Sequence, residues 1–177
     1  MKTCGLRFNL FLCATLLLAL AVTPGCSLKE RKRKSQPSTL RVHLEVQPDG
    51  RSNNGPVPIY RQQPVMVNVD LTPMLTEANV AGARVIDVVG GFALRIQFDQ
   101  RGSWILEQRT VESRGRRFAI FCQFGAELKE SRWLAAPIIG RRITDGVLVF
   151  TPDATRAEAD DLVLGLNNIA RVAKTKL

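Results

Sequence analysis

Activated serines are the first chemistry to consider, because hydroxyl nucleophiles are common in hydrolytic enzymes. Ser103, Ser113 and Ser131 lie in the second half of this chain of 177 residues, and the sequence contains one histidine, His43. A serine nucleophile needs a base that takes up its proton. His43 falls on the polar face of an alternating segment, where we expect it to be exposed to solvent. The three serines therefore have no predicted base.

Carboxylates offer a second kind of acid–base chemistry. Asp145 stands beside Gly146, whereas Asp160 and Asp161 lie in the first turns of a predicted helix, where the helix dipole explains them. The short segment 89–92 (VGGF) falls well short of a phosphate-binding loop. With one histidine and four scattered cysteines, a zinc site is not expected. We predict no enzymatic activity, no metal and no cofactor, and keep an uncharacterised hydrolase as the lesser alternative.

The amino-terminal residues 1–25 have the features of an export signal. Lys2 and Arg7 give a positive end, and the thirteen residues from Leu10 to Val22 carry no charge. As a helix rising about 1.5 Å per residue, this run would reach roughly 20 Å, short of the ~30 Å hydrocarbon core that a spanning helix crosses. A cleaved signal is therefore favoured over a permanent membrane span.

Cys26 ends the segment Thr23-Pro24-Gly25-Cys26, which resembles the cleavage region of a bacterial lipoprotein signal. The resemblance implies that Cys26 is acylated and becomes the first residue of the mature chain. An ordinary secretory signal that leaves a plain thiol is the alternative. Acyl chains stabilise membrane binding by ~0.8 kcal/mol per buried methylene. Because Ser27, not aspartate, follows Cys26, the outer membrane is favoured over the inner membrane, with the protein facing the periplasm.

Positive charge is concentrated near this anchor. Residues 1–34 hold 7 of the 25 basic and 1 of the 16 acidic residues, so +6 of the net charge of +9 lies there and +3 remains for the rest. Residues 26–38 are predicted to be a basic, flexible tether. The small charge of the remaining chain argues against nucleic acid as a partner.

Residues 39–177 are predicted to form a single α+β domain, in which a mainly antiparallel sheet carries two helices on one face. Leu40–Val46 alternates apolar and polar residues, as a half-buried strand does, and Arg117–Phe124 is a further predicted strand. Cys122 shares the apolar face of the second strand, so we expect a buried, unreactive thiol. Gly90-Gly91 predicts a hairpin between strands 83–89 and 92–98. Further strands are expected at 57–60, 65–69, 132–139 and 142–150, with an irregular segment or one helical turn at 71–79.

Two helices are predicted from their capping residues. Asp99 or Ser103 caps the first, which runs to about Arg114 and stops at Gly115. A capping box formed by residues 155 and 158 begins the final helix. Apolar residues recur along that helix at steps of three and four, and we expect this face to pack across the sheet. The face consists of Ala159, Leu162, Val163, Leu166, Ile169, Ala170 and Ala173.

Basic and aromatic residues near the predicted strand ends define a candidate interaction surface. Its members are Arg116, Arg117, Arg132, Trp133, Arg141 and Arg142. Solvated strand ends are the commoner explanation for such arginines. Tryptophan is enriched at the centres of contact surfaces, but core packing is the favoured prediction for both Trp104 and Trp133.

A set of residues between Phe92 and Asn168 keeps a characteristic order and spacing: Asp99, Gly102, Thr110, Gly115–Phe121, Ala135–Ile139, Ile143, Asp145, Gly146, Glu158, Ala159, Leu162 and Leu166. With these residues the stretch resembles the head subdomain of the first periplasmic domain of SecD, a subunit of the bacterial protein-export machinery. The presence of each shared residue can be explained by its structural role, so the resemblance implies a fold more than an activity. Residues 147–151 and 167–169 depart from the family pattern.

The signal, the tether and the SecD-like stretch together predict a non-catalytic, lipid-anchored binding or scaffolding module of the cell envelope. Its expected partners are the membrane, through acylated Cys26, and an envelope protein or exported polypeptide. A sheet edge could capture an extended polypeptide as an added strand. The alternative function is binding of polyanions or anionic lipid in the envelope.

Overall fold

The computed structural model describes residues 35–48, Gly50 and residues 53–175. The predicted signal, Cys26 and residues 27–34 of the tether lie outside the described residues. The described chain forms these elements in order: β1 (Thr39–Leu44), β2 (Asn54–Ile59), β3 (Val65–Asp70), β4 (Leu75–Thr76), β5 (Val80–Val88), β6 (Gly91–Phe98), α1 (Gln100–Glu112), β7 (Phe118–Phe124), β8 (Glu130–Ala135), β9 (Val147–Phe150) and α2 (Arg156–Thr175).

The strands pair antiparallel and form three sheets, ordered β4-β1-β7-β8, β2-β3 and β5-β6-β9. The predicted α+β class, with mainly antiparallel strands and two helices, is confirmed. The sequence pattern did not indicate that the strands divide among three sheets. Residues 36–38 also pack against the folded domain, because Asn168 Nδ2 donates to the Gln36 carbonyl and Ser38 is buried.

The main core lies between the two larger sheets and the helices. Its members come from both sheets and both helices, and they include Leu40, Leu94, Leu106, Ile120, Cys122, Leu162 and Leu166. Cys122 is fully buried, as predicted, and burial raises the pKa of its thiol. A thiol in such surroundings stays protonated and behaves as a small hydrophobe.

His43 corrects one sequence-based expectation. Its side chain does not face solvent but is buried, and Nδ1 donates to the Asp70 carbonyl at 2.8 Å. The reason is that the β2-β3 hairpin covers the second face of the β1-β7 pair, forming a smaller core of Val57, Ile59, Val67, Val69, Ala119 and Ala136. Alternation indicated a half-buried strand, but a tertiary contact buries the other face as well.

The β5-β6 hairpin forms where Gly90-Gly91 predicted it, but the turn is shifted by one residue. Val88 pairs with Gly91, so Val89 and Gly90 are the two loop residues. Gly90 has φ 85°, a conformation that glycine adopts without steric cost.

Both predicted helices are present with their predicted caps. The Asp99 carboxylate accepts a hydrogen bond from the Gly102 N–H at 2.6 Å at the start of α1. Thr155 and Glu158 form the capping box of α2, with the Thr155 N–H donating to Glu158 Oε2 at 2.7 Å. On α2, Ala159, Leu162, Leu166 and Ala170 are buried, whereas Ala173 is exposed.

Two predicted strands are shorter than expected. The residues next to them make isolated hydrogen bonds to other parts of the chain and not the regular hydrogen bonds of a strand pair. After β8, Ile138 bridges Arg117, and the Ile139 N–H donates to the Arg116 carbonyl. Before β9, the Ile143 N–H donates to Thr110 Oγ1 on α1 at 3.1 Å. Ile143 therefore lies against α1, and residues 142–146 are not part of a strand. Residues 77–79 form a single 3-10 turn within the segment where one helical turn was expected, whereas the short strand β4 at residues 75–76 was not predicted.

Candidate functional site

The residues considered for catalysis do not assemble into a catalytic group in the described chain. His43 hydrogen-bonds to a backbone carbonyl, Ser113 is the buried C-cap of α1, and Ser103 Oγ donates to the Phe98 carbonyl. Asp145 Oδ1 accepts from the Val147 N–H at 3.1 Å, which is a structural role at the start of β9. Within the described residues there is no cluster of histidine, cysteine and carboxylate side chains that could hold a metal ion.

Four arginines of the predicted interaction surface belong to two segments that meet at the start of β7. Residues 116 and 117 lie beside residues 138 and 139 through the bridge and backbone hydrogen bond described above, and Arg141 and Arg142 come after Gly140 in the second segment. Arg142 forms an ion pair with Glu107 on α1. Ile138, which bridges Arg117, is 63% exposed.

Arg132 and Trp133 lie elsewhere, on β8. The Arg132 side chain is only 16% exposed, lies over the Phe124 ring and contacts Glu158 Oε1 at 2.6 Å. Burial alone would raise the pKa of Glu158, but the ion pair with Arg132 and the hydrogen bonds with Thr155 outweigh it and hold this pKa below its usual value. Trp133 packs against the rings of His43 and Phe121 at centroid distances of 5.0 and 5.3 Å. The six residues therefore do not form one continuous surface.

Trp104 is the second residue whose predicted environment is wrong. It is 69% exposed on α1 and borders a groove of about 590 Å³ with Asp99, Gln100 and Arg101. The buried stripe of α1 runs through Gly102, Leu106 and Thr110, at steps of four. Residues at this spacing share one helix face, and position 104 points to the opposite side.

The edges of the sheets provide a different kind of site, because unpaired N–H and C=O groups can bind another chain. In the β2-β3 hairpin, Pro56 and Pro58 are exposed and have no N–H, so the outer edge of β2 lacks donors at these positions. On the outer side of β3, the Asn68 carbonyl accepts from the Val46 N–H at 2.9 Å, and Asn68 Nδ2 donates to the Val46 carbonyl.

Two further edges are occupied by other parts of the chain. Beside β8, the Leu134 carbonyl accepts from the Asp153 N–H at 2.7 Å. Beside β5, Asn167 on α2 hydrogen-bonds to both backbone groups of Ala83, with distances of 2.8 Å to the N–H and 2.9 Å to the carbonyl. The Asn167 amide thus replaces a strand partner, and α2 covers this side of the sheet.

Along the outer edge of β9, the Val147 N–H is already bonded to Asp145 Oδ1, but no described residue bonds to the backbone groups of Val149. β6 is the only described strand that pairs with β9, and Val149 is 46% exposed. The sequence predicted a strand here but not its place at the edge of a sheet. Strand order depends on pairings between distant segments, so the local pattern of residues 147–150 carries no signal for it.

A groove of about 670 Å³ lies at the carboxyl end of β9. Tyr60, Gln62, Gln63 and Val65 line one side and residues 151–153 the other. Asp153 Oδ2 accepts from the Arg61 N–H at 2.7 Å, and the Tyr60 hydroxyl accepts from the Ala136 N–H at 3.3 Å. Tyr60 has φ 74°, which is rare and strained for a bulky residue. We name the outer edge of β9 together with this groove the β9 edge site.

Comparison with known proteins places the fold. Residues 45–170 match the family described as the SecDF P1 head subdomain. This chain belongs to that family. Among the curated proteins, none matches it.

Two solved structures show the same fold. SecDF, described as a membrane component that enhances protein export, has a TM-score of 0.57 at 20% identity, covering 83% of this chain and 70% of that chain. SecDF in its super-membrane-facing form has a TM-score of 0.57 at 21% identity, covering 82% of this chain but 21% of that chain. Among the described residues, no helix has the length and apolar character that crossing a membrane requires.

Proposed function

We propose that this protein is a non-catalytic, lipid-anchored module of the bacterial envelope that faces the periplasm and contacts exported polypeptides or the translocon. The observation that carries the proposal is the match of residues 45–170 to the SecDF P1 head subdomain. SecDF, which has the same fold, is described as a membrane component that enhances protein export. Acylated Cys26 anchors the domain to the membrane, as the sequence context of this cysteine predicts.

The surface of the described domain supports binding more than chemistry. Its exposed apolar side chains include Trp104 and Val149, and the second of these lies in the β9 edge site. Large exposed side chains beside unpaired backbone groups suit an extended polypeptide, which offers both apolar side chains and hydrogen-bonding groups.

Photo-crosslinking in living cells tests the function. A photoreactive amino acid is placed at position 104, 149 or 129 of the full chain, and adducts are identified by mass spectrometry. We expect exported polypeptides or translocon subunits to be captured from positions 104 or 149. Lys129, exposed in the turn between β7 and β8, is the matched control and should capture neither. Absence of both partner classes from positions 104 and 149 contradicts the proposal.

Binding of anionic lipid is a second candidate function, favoured by one observation. Ile138 is exposed and bridges Arg117, and an exposed apolar residue beside a cation suits a surface of anionic head groups. The Arg116→Glu/Arg141→Glu double variant is compared with the wild type in flotation with phosphatidylglycerol vesicles. Equal flotation of the two proteins rules this candidate out.

A further inference from the structure

Hydrogen-bond alternation shows which backbone groups of β9 point away from the sheet. The Phe98 N–H donates to the Gly146 carbonyl at 2.9 Å, and the register continues through Ile96 opposite Leu148. In an antiparallel pair, every second residue bonds to the partner strand. The intervening residue Val149 therefore directs its N–H and C=O outward, where no described residue bonds to them.

The outer face of the same sheet carries unneutralised positive charge. Arg84 on β5 pairs with Arg95 on β6, which pairs with Val149 on β9, so the three side chains form a row across the sheet. Like charges directly opposite each other destabilise a sheet. Arg95 Nη2 donates to Gln97 Oε1, and no ion pair joins either arginine to a carboxylate within the described chain. An acidic side chain next in the row would relieve this repulsion.

Charge also disfavours a second copy of the chain at this edge. Antiparallel pairing of β9 with β9 of another copy would place Arg84 and Arg95 of both copies on one continuous face. Repulsion between them opposes that dimer. An extended segment with acidic residues at alternate positions has the opposite effect.

The adjoining groove provides room for such a segment to continue. β9 contains four residues, and a short edge strand alone offers few hydrogen bonds. The groove of about 670 Å³ begins at Thr151, where β9 ends, and Tyr60 borders its other side. A bound strand can therefore extend past β9 along this groove.

We propose that the β9 edge site binds an extended polypeptide segment as an added antiparallel strand and favours acidic side chains at alternate positions, next to Val149 and on the sheet face that carries Arg95. The inference rests on the proposed function, since it names the surface and the chemistry by which the module holds an exported polypeptide. In antiparallel pairing, the residue opposite Val149 bonds to it and shares its face. The acidic residues are thus the ones whose backbone bonds to β9.

The test uses a fluorescent peptide of alternating valine and glutamate, titrated against the full-length protein in detergent by fluorescence anisotropy. Methylation of the glutamate amide nitrogens removes the donors that face β9, and we expect at least about a tenfold loss of affinity. Methylation of the valine amides should change affinity less than about twofold. Retained affinity after methylation of the glutamate amides overturns the proposal, as does equal binding of a valine–lysine peptide.

A pair of protein variants gives an independent measurement. Val149→Pro removes the outward N–H without breaking the β6 ladder, and we expect at least about a tenfold loss of affinity. Val149→Thr keeps the N–H and the branched side chain and should bind like the wild type. Equal affinity of a folded Val149→Pro variant overturns the inference.

The two proposals fail differently. If position 149 captures no exported polypeptide in cells while position 104 does, the function stands and the β9 edge site is wrong. Concentration-dependent dimerisation that is lost in Val149→Pro would assign the edge to a second copy and also overturn the inference. Absence of export partners from both positions removes the function itself.

Discussion

His43 links one side chain to the pH dependence of the whole fold. Burial lowers the pKa of the imidazole, and this effect outweighs the hydrogen bond to the Asp70 carbonyl, which raises it. The folded state therefore favours neutral histidine. Since the unfolded chain binds the proton more readily, this contribution is present above the unfolded pKa of 6.5 and is lost as the pH falls below it.

We expect the free energy of unfolding to fall between pH 7.5 and pH 5.5, by at most about 1.4 kcal/mol per pH unit. His43→Gln can still donate to the Asp70 carbonyl but does not titrate, so its stability should vary less over this range. Urea denaturation at three pH values measures both proteins. His43 is the single histidine, which makes it the main titrating side chain in this interval. Parallel pH profiles for the two proteins would contradict this account.

Cys122 illustrates how burial controls thiol chemistry. The thiolate is the reactive form, and burial raises the pKa of this thiol far above its usual value. We expect maleimide to modify Cys122 at least about 100-fold more slowly in the folded protein than in guanidinium. Peptide mass mapping reads this cysteine separately from the others. Rapid modification of the folded protein would show that the main core opens easily.

At the scale of elements, α2 depends on its buried face. Leu166 is fully buried in the main core, whereas Val172 on the same helix is 54% exposed. Leu166→Asp places a charge without a partner in the core, and we expect loss of the cooperative thermal transition. Val172→Asp should change stability by less than about 0.5 kcal/mol. Similar melting of the two variants, followed by circular dichroism, would refute the assignment of this face.

Asn167 has a different role on the same helix, since it closes the edge of β5. Asn167→Ala leaves the N–H and carbonyl of Ala83 without their partner, and we expect a loss of about 1–3 kcal/mol in the free energy of unfolding. Arg171→Ala changes an exposed position one turn further along and is the matched control. Urea denaturation compares them. Equal midpoints would show that the amide contributes nothing to the edge.

At the scale of the whole molecule, the proposed anchor determines where the domain works. Two or three acyl chains hold a protein firmly in a bilayer, because each buried methylene contributes ~0.8 kcal/mol. Cys26→Ser should move the protein from the membrane fraction to the soluble periplasmic fraction, and mass spectrometry should find acyl groups on wild-type Cys26. An unmodified Cys26 in the mature wild-type protein would refute lipid anchoring without affecting the fold.

The sheet edges show how the molecule limits unwanted pairing. Three sheet edges are protected from pairing with another chain in three different ways: by prolines on β2, by the Asn167 amide beside β5 and by the Asp153 N–H beside β8. Edge protection is common in β proteins. At β9, by contrast, no described residue bonds to the outward N–H and carbonyl of Val149, and this is the physical basis for placing a binding site there.

Local chemistry determined much of this protein from the sequence alone. Capping at Asp99 and Thr155, the hairpin near Gly90 and the inward position of Cys122 depend on residues close in sequence, and all were predicted. The environments of His43 and Trp104 were not. Whether the second face of a strand is covered, or which side of a helix meets the core, depends on segments that are distant along the chain.

The candidate site divides in the same way. Sequence indicated the fold family and a strand ending at Phe150, because spacing and alternation are local properties. It grouped six surface residues that the fold separates, and it gave no sign that β9 lies at an edge. Only the tertiary structure decided that point, since an unpaired edge is defined by the strand that is missing beside it.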